Sequence, residues 1–341
     1  MKQITFHDFA QQGKEINNIQ KQIEENRFVH AVLISGEPGT GKKTLAALIA
    51  KTLLCSADSD RPCGTCDNCH LSEAGEHPDQ IIIQKGVPLS TETKTGKSTV
   101  PVSDIREVIK ICNRHTFKSR NRVIIIPDAE NMTIQAQNCL LKILEEPPLN
   151  TFFILTTSKP SDLLITIKSR CRPIKLIPWD TAYIRTLLIE YGVPPERSEI
   201  VAVTAGGSIG KSLQLASDED YWGTRNEIFQ TFFSSVPRSD VLRASSLWKE
   251  RKEDAEIVFC ILENAVHSLL KYRLNLIFPP DGHSFSEEWM QFGRAADLEH
   301  FAFLFDCISD ARKRNASNVN FQAVFEQLHL AFIGECAKWI K

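Results

Sequence analysis

The run Ala31-Val32-Leu33-Ile34 passes into Gly36-Glu37-Pro38-Gly39-Thr40-Gly41-Lys42, and from there into an apolar stripe at Leu45, Leu48, Ile49 and Leu53. No other feature narrows the fold as much. Four consecutive apolar residues suit a strand covered on both faces. Spacings of i, i+3, i+4 and i+8 put the stripe on one side of a helix. Between them, G-x-x-x-x-G-K turns the backbone so that successive N–H groups and the positive end of the helix face a phosphate, while Lys42 reaches the terminal phosphates. Gly36, Gly39, Thr40, Gly41, Lys42 and Thr44 are therefore the candidate nucleotide contacts. A glycine-rich turn with no ligand is the lesser alternative.

Further short apolar runs, Ile81-Ile82-Ile83, Val123-Ile124-Ile125-Ile126 and Phe152-Phe153-Ile154-Leu155, alternate with helical patterns up to about residue 178. They predict an α/β domain on a parallel sheet. Pro178-Trp179 changes the texture, and a small helical unit broken by Gly192-Val193-Pro194-Pro195 and Gly206-Gly207 follows. Beyond residue 222 only helical periodicity is found, in 255–270, 298–313 and 321–340. The expected organisation is 1–178, an α/β P-loop domain; 179–222, a small helical lid; and 223–341, an all-helical domain. At 341 residues, two or three domains of roughly 150 residues each are expected. Gly86 to Thr99 is polar and reads as a loop. Within it Gly96-Lys97-Ser98 imitates the end of a second phosphate loop, but Thr91 stands where the first glycine is required.

The phosphate loop is complete except at its metal position. After Lys42 a Ser or Thr hydroxyl should ligate Mg²⁺, yet Lys43 stands there and Thr44 comes one residue late. One helical residue is about 100° of rotation, so Thr44 should point away from the metal. An ammonium about 4 Å from a divalent ion, at an effective dielectric of 20, would cost on the order of 8 kcal/mol unless the side chain swings out. Asp128, after the Val123 strand, could hold Mg²⁺ through its shell or simply cap the strand end. Ala129 takes the place of the glutamate that would polarise water, and Glu130 is displaced by one residue. Nucleotide binding is expected to be possible but degenerate, without Mg²⁺-supported hydrolysis.

Ten cysteines are present, and Cys55, Cys63, Cys66 and Cys69 crowd into C-x₇-C-x₂-C-x₂-C. The short spacings let thiolates meet one Zn²⁺ about 2.3 Å from sulfur, and the longer arm closes a tetrahedron. A structural zinc is expected, with no open position for catalysis. Cys55 is the least secure ligand and His70 its nearest substitute. An iron–sulfur run would want another cysteine where Glu73 stands. Cys112, Cys139, Cys171, Cys260, Cys307 and Cys336 read as buried small hydrophobes. With 40 Lys+Arg against 42 Asp+Glu, contact with nucleic acid would need a local patch. Arg114, His115, Lys118, Arg120 and Arg122 supply one, or are a solvated face. No secretory signal and no membrane span is read, so a cytoplasmic protein is expected.

Three stretches carry a resemblance. Asp128-Ala129-Glu130-Asn131-Met132-Thr133, then Asn138-Cys139-Leu140-Leu141-Lys142-Ile143-Leu144-Glu145-Glu146-Pro147-Pro148, then Ser169-Arg170-Cys171 resemble bacterial DNA polymerase III clamp-loader subunits of the AAA+ class. The resemblance extends over essentially the whole chain, with residues 223–341 its weakest part. It implies an AAA+ domain with a zinc module, a helical lid and an all-α collar that closes a hetero-oligomer. Implied partners are gamma/tau and delta subunits, the sliding clamp and primer–template DNA.

Lys43, Ala129 and Gly210, the last where a gamma/tau-like chain resembles a phosphate-sensing arginine, favour the non-hydrolysing delta-prime type; Lys211 beside Gly210 could substitute. A gamma/tau-type ATPase is the alternative. The resemblance also implies that Arg170 reaches into the nucleotide site of a neighbouring subunit, where a guanidinium on the γ-phosphate is worth roughly 10³ to 10⁵ in rate. A surface salt bridge is the plainer role. Thr157 and Ser158 resemble a hydroxyl sensor of the γ-phosphate, or make ordinary strand-end hydrogen bonds.

Overall fold

The computed structural model describes residues 4–87, 89, 99–234, 241, 245–246, 248, 252–276, 285–317 and 319–339. Most of the polar stretch after Gly86, including Gly96-Lys97-Ser98 and Thr91, lies outside these residues. The chain forms two compact units, one of residues 1–180 with 207–211, the other of residues 181–206 with 212–341.

The first unit is built on five parallel strands, β1 (Ala31–Ser35), β2 (Gln80–Ile82), β3 (Arg122–Ile126), β4 (Thr151–Thr157) and β5 (Arg172–Lys175), in the order β2-β3-β4-β1-β5. Val32 pairs with Ile154 and with Arg172, and Ile125 pairs with Ile82 and Ile154. The three central strands are continuous apolar runs because both faces are covered. Helix α1 (Lys42–Leu54) packs across β1, β3 and β4. Helices α3 (Val102–Cys112) and α4 (Ile134–Glu145) contribute Ile105, Val108 and Leu140 to a core with Leu33, Ile124 and Phe153. A further helix, α2 (Asp67–Ala74), contacts α1. Each fully buried Leu or Ile contributes about 1.5–3 kcal/mol over its exposed state.

One strand departs from the sequence expectation, and another carries no strand signal in the sequence. Ile82 was expected under cover on both sides but is 38% exposed, because β2 is an edge strand with one neighbour. The other edge, β5, carries no apolar run: in Arg172-Pro173-Ile174-Lys175 only Ile174 is buried, and Pro173 is tolerated at an edge. Between β4 and β5 lies α5 (Ile165–Arg170), anchored by buried Ile167 and followed by buried Cys171.

The second unit is helical. It contains α6 (Thr181–Glu190), α7 (Pro195–Thr204), most of α8 (Ile209–Ser217), α9 (Glu219–Phe232), α10 (Ala255–Arg273), α11 (Glu287–Ala295), α12 (Leu298–Ala316) and α13 (Phe321–Ala337). The described residues beyond 222 include no strand, as the periodicity predicted. Its core is aromatic: Phe232 meets Phe325 and Phe332 edge-on, and Trp248 stacks on Phe325. Among the described residues, no helix is long and apolar enough to cross a membrane.

Candidate functional site

The phosphate loop leaves β1 at Gly36 and enters α1 at Lys42. Two positive backbone angles, at Gly39 (φ +77°) and Gly41 (φ +96°), bend it as only glycine does without strain. The loop is closed upon itself. Lys42 is buried, and its Nζ donates to the carbonyls of Gly36 and Glu37, each at 2.8 Å. Burial holds its pKa below the ordinary lysine value, partly offset by Asp128, Glu130 and Glu37. Thr40 Oγ1 donates to Glu37 O at 2.8 Å, and Thr44 is exposed.

The segment 207–211 lies directly against this loop. Gly210 N–H donates to Gly39 O at 2.9 Å, and a Cβ on Gly39 would stand 2.1 Å from Ser208 Oγ. Only glycine at position 39 permits that approach.

The metal position is filled from within. Lys43, which could have swung into solvent, places its Nζ 2.6 Å from Asp128 Oδ2. Asp128 sits at φ +50° after β3, and its N–H donates to Thr156 Oγ1 at 3.1 Å. Ala129 is buried and carries nothing that could activate water. The displaced Glu130 turns to β4 instead, where its Oε1 accepts from Ser158 N at 3.0 Å. Thr157 is buried, and its hydroxyl accepts from Lys159 N at 3.0 Å. Asp128, Glu130 and Thr157 are thus gathered at the ends of β3 and β4, where Lys43 takes Asp128 Oδ2 and Ser158 N–H takes Glu130 Oε1, while Glu130 Oε2 is buried without a hydrogen-bond partner.

Arg170 stands at the end of α5. Its Nη1 donates to Thr166 O at 3.0 Å, and its Nη2 pairs with Glu145 at the end of α4.

The four clustered cysteines converge, with all their sulfurs within 4.8 Å of one another. Cys55 and Cys63 sulfurs are 3.6 Å apart, Cys55 and Cys66 3.9 Å, and Cys63 and Cys69 4.0 Å. Four sulfurs about 2.3 Å from a tetrahedral ion stand about 3.8 Å from each other, so the set fits a metal. Burial raises the Cys55 and Cys69 thiols above the ordinary range, whereas backbone hydrogen bonds lower Cys63 and, in spite of burial, hydrogen bonds from Ser56 and Cys69 lower Cys66 to about 5. His70, the substitute ligand, is exposed and outside the set.

Residues 11–180 match the family model described as DNA polymerase III, delta subunit. The chain is 35% identical over 219 residues to the DNA polymerase III subunit delta' of Escherichia coli (strain K12), covering 64% of this chain and 63% of that protein. It is 31% identical over 227 residues to the delta' subunit of Bacillus subtilis (strain 168), covering 64% and 66%. The chain belongs to the DNA polymerase III delta-prime family.

Matched stretches thus span slightly under two thirds of the delta-prime relatives' own length. A DNA polymerase III subunit tau/gamma of Haemophilus influenzae (strain ATCC 51907 / DSM 11121 / KW20 / Rd) is 33% identical over 228 residues, covering 65% of this chain and 32% of that protein. Among solved structures, a DNA polymerase III gamma-subunit-related protein of Thermotoga maritima is 15% identical with a TM-score of 0.40, covering 94% of this chain and 99% of that one.

Two features of this delta-prime family member escape a reading of the sequence. Trp179 donates through Nε1 to Thr40 O at 2.9 Å, and its backbone N–H donates to Gly207 O at 2.9 Å. It therefore ties the phosphate loop to the segment that covers it; the tryptophan beside the change of texture was the only signal.

The basic run is also not one surface. Arg114, His115, Lys118 and Arg120 are exposed, but Arg122 is 2% exposed and donates to the carbonyls of Ile111, Cys112, Arg114 and His115 at 2.8–3.2 Å. Arg122 therefore cannot reach a phosphate backbone, which corrects the expectation from charge alone. Of the six scattered cysteines, Cys112, Cys171 and Cys336 are buried, whereas Cys139, Cys260 and Cys307 are half-buried.

Proposed function

We propose that the chain is a delta-prime-like subunit of the replicative DNA polymerase III clamp loader, a scaffold that hydrolyses no ATP itself and lends Arg170 to the nucleotide site of a neighbouring ATPase subunit. The observation that carries this reading is Lys43 on Asp128: an ammonium takes the carboxylate on which a catalytic Mg²⁺ depends. Ala129, Glu130 and the self-bonded Lys42 support it.

In this reading the four cysteines hold a structural Zn²⁺, the chain divides into an AAA+ domain (1–178), a lid (179–222) and a collar (223–341), and it works in the cytoplasm. Its partners are gamma/tau and delta subunits, the sliding clamp and, through the complex, primed DNA. The phosphate loop keeps the residues for nucleotide binding, but without a metal partner the site is degenerate.

The purified chain should release phosphate from Mg²⁺-ATP no faster than a buffer control. Turnover abolished by Lys42→Ala would instead make it a gamma/tau-type ATPase. In the assembled complex Arg170→Ala should slow ATP turnover and leave co-elution of the subunits intact.

A further inference from the structure

We infer that Glu145 is a positioning residue for Arg170, holding the guanidinium in the orientation in which it is presented to a neighbouring subunit. The inference rests on the proposed trans role of Arg170 and extends it to a second side chain.

Three observations support it. Arg170 is anchored at both terminal nitrogens, Nη2 by the Glu145 carboxylate and Nη1 by Thr166 O at 3.0 Å, so the plane of the guanidinium is fixed rather than only its charge. Glu145 is the last residue of α4, where a carboxylate opposes the helix dipole. Its unfavourable place is explained by what it faces. Both ends of the pair are also held: Pro147-Pro148 follow the end of α4, and buried Ile167 and Cys171 flank Arg170. The arginine side chain remains 32% exposed and Glu145 51% exposed, so the pair lies within reach of an incoming phosphate. An anionic polyphosphate on a partner can take the outer edge of the guanidinium while the carboxylate keeps the inner one. Arginine, with donors on both edges, can serve the two together.

The test uses the complex, assembled with hydrolysing partners of which only the neighbour of this chain keeps its P-loop lysine. Misplacing a catalytic group by about an ångström costs up to roughly 10²-fold. Glu145→Ala should accordingly lower kcat about tenfold, with the KM for ATP and subunit co-elution unchanged. Glu145→Gln, which retains an acceptor oxygen, should recover most of the rate. Combined with Arg170→Ala, Glu145→Ala should add nothing.

An unchanged or raised kcat in Glu145→Ala, where Arg170→Ala is slow, overturns the positioning role and leaves the arginine role standing. The same holds for a loss that persists in the Arg170→Ala background. If Arg170→Ala is itself without effect, the arginine role fails and the positioning role with it.

Discussion

Lys43 carries its ammonium to within 2.6 Å of Asp128 Oδ2, so the carboxylate that ends β3 already holds a cation from its own chain. The pair is substantially exposed, so it contributes at most about 1 kcal/mol to stability. Its importance is in exclusion: a divalent ion at Asp128 would have to displace the lysine and then tolerate it nearby.

Lys43→Thr removes the ammonium and returns a hydroxyl to the position after Lys42. Binding of a fluorescent ATP analogue by this variant should become Mg²⁺-dependent, with at least a tenfold difference between Mg²⁺ and EDTA, about 1.4 kcal/mol. The parent chain should show no such difference. Turnover should remain at background in the variant, because Ala129 still offers no base. Phosphate release by Lys43→Thr would mean that Glu130 leaves Ser158 and activates water.

Metal loss should be felt as loss of folding around the cysteines. Elemental analysis of the purified chain is expected to find one zinc per molecule. Cys69→Ser, at a buried ligand, should abolish it and destabilise the first unit on the order of several kcal/mol, read from the urea midpoint. Zinc retained in Cys69→Ser, or none in the parent, counts against a four-cysteine site.

The sheet and the phosphate loop were legible because they are local. Val123 to Ile126 is apolar without interruption, and Gly36 to Lys42 is contiguous, so pattern alone carries both. What escaped depends on residues far apart in sequence. Strand β5 is defined by the pairing of Ile174 with Ile34 rather than by its own composition. The link between Trp179 and Thr40 spans 139 positions. Arg122 reads as one member of a basic run until four carbonyls, two from the end of α3 and two from the turn after it, are seen around it. Charge in a sequence says nothing about which side of the backbone it will be on.

Asp79 and Arg122 are both buried and hold the 113–121 turn from inside. The Asp79 carboxylate accepts backbone N–H bonds from Phe117, Lys118 and Ser119 at 2.8–2.9 Å, and stands 4.0 Å from the guanidinium. Asp79→Ala leaves three backbone N–H groups without their acceptor and the buried Arg122 guanidinium without its carboxylate. A loss of about 3–5 kcal/mol in unfolding free energy is expected from denaturant melts. A change under about 1 kcal/mol would show that the turn is held by its other contacts.

His329 gives the second unit a defined response to acid. The ring is fully buried on α13 beside Phe232 and Phe325, and burial lowers its pKa from 6.5 to about 4. The unfolded chain therefore binds more protons than the folded one between these two values. Where that is so, stability rises with pH. The contribution of His329 is fully present above about pH 6.5, declines as the pH falls through the window, and levels off below about pH 4. About 2.5 pKa units correspond to roughly 3 kcal/mol. His329→Leu removes the proton acceptor while keeping an apolar side chain of similar size. Other groups titrate in the same range, so the informative quantity is the difference in unfolding free energy between parent and variant. That difference should shift by about 3 kcal/mol in favour of the variant between pH 7 and pH 4. A difference independent of pH would mean that the imidazole finds a stabilising partner once protonated.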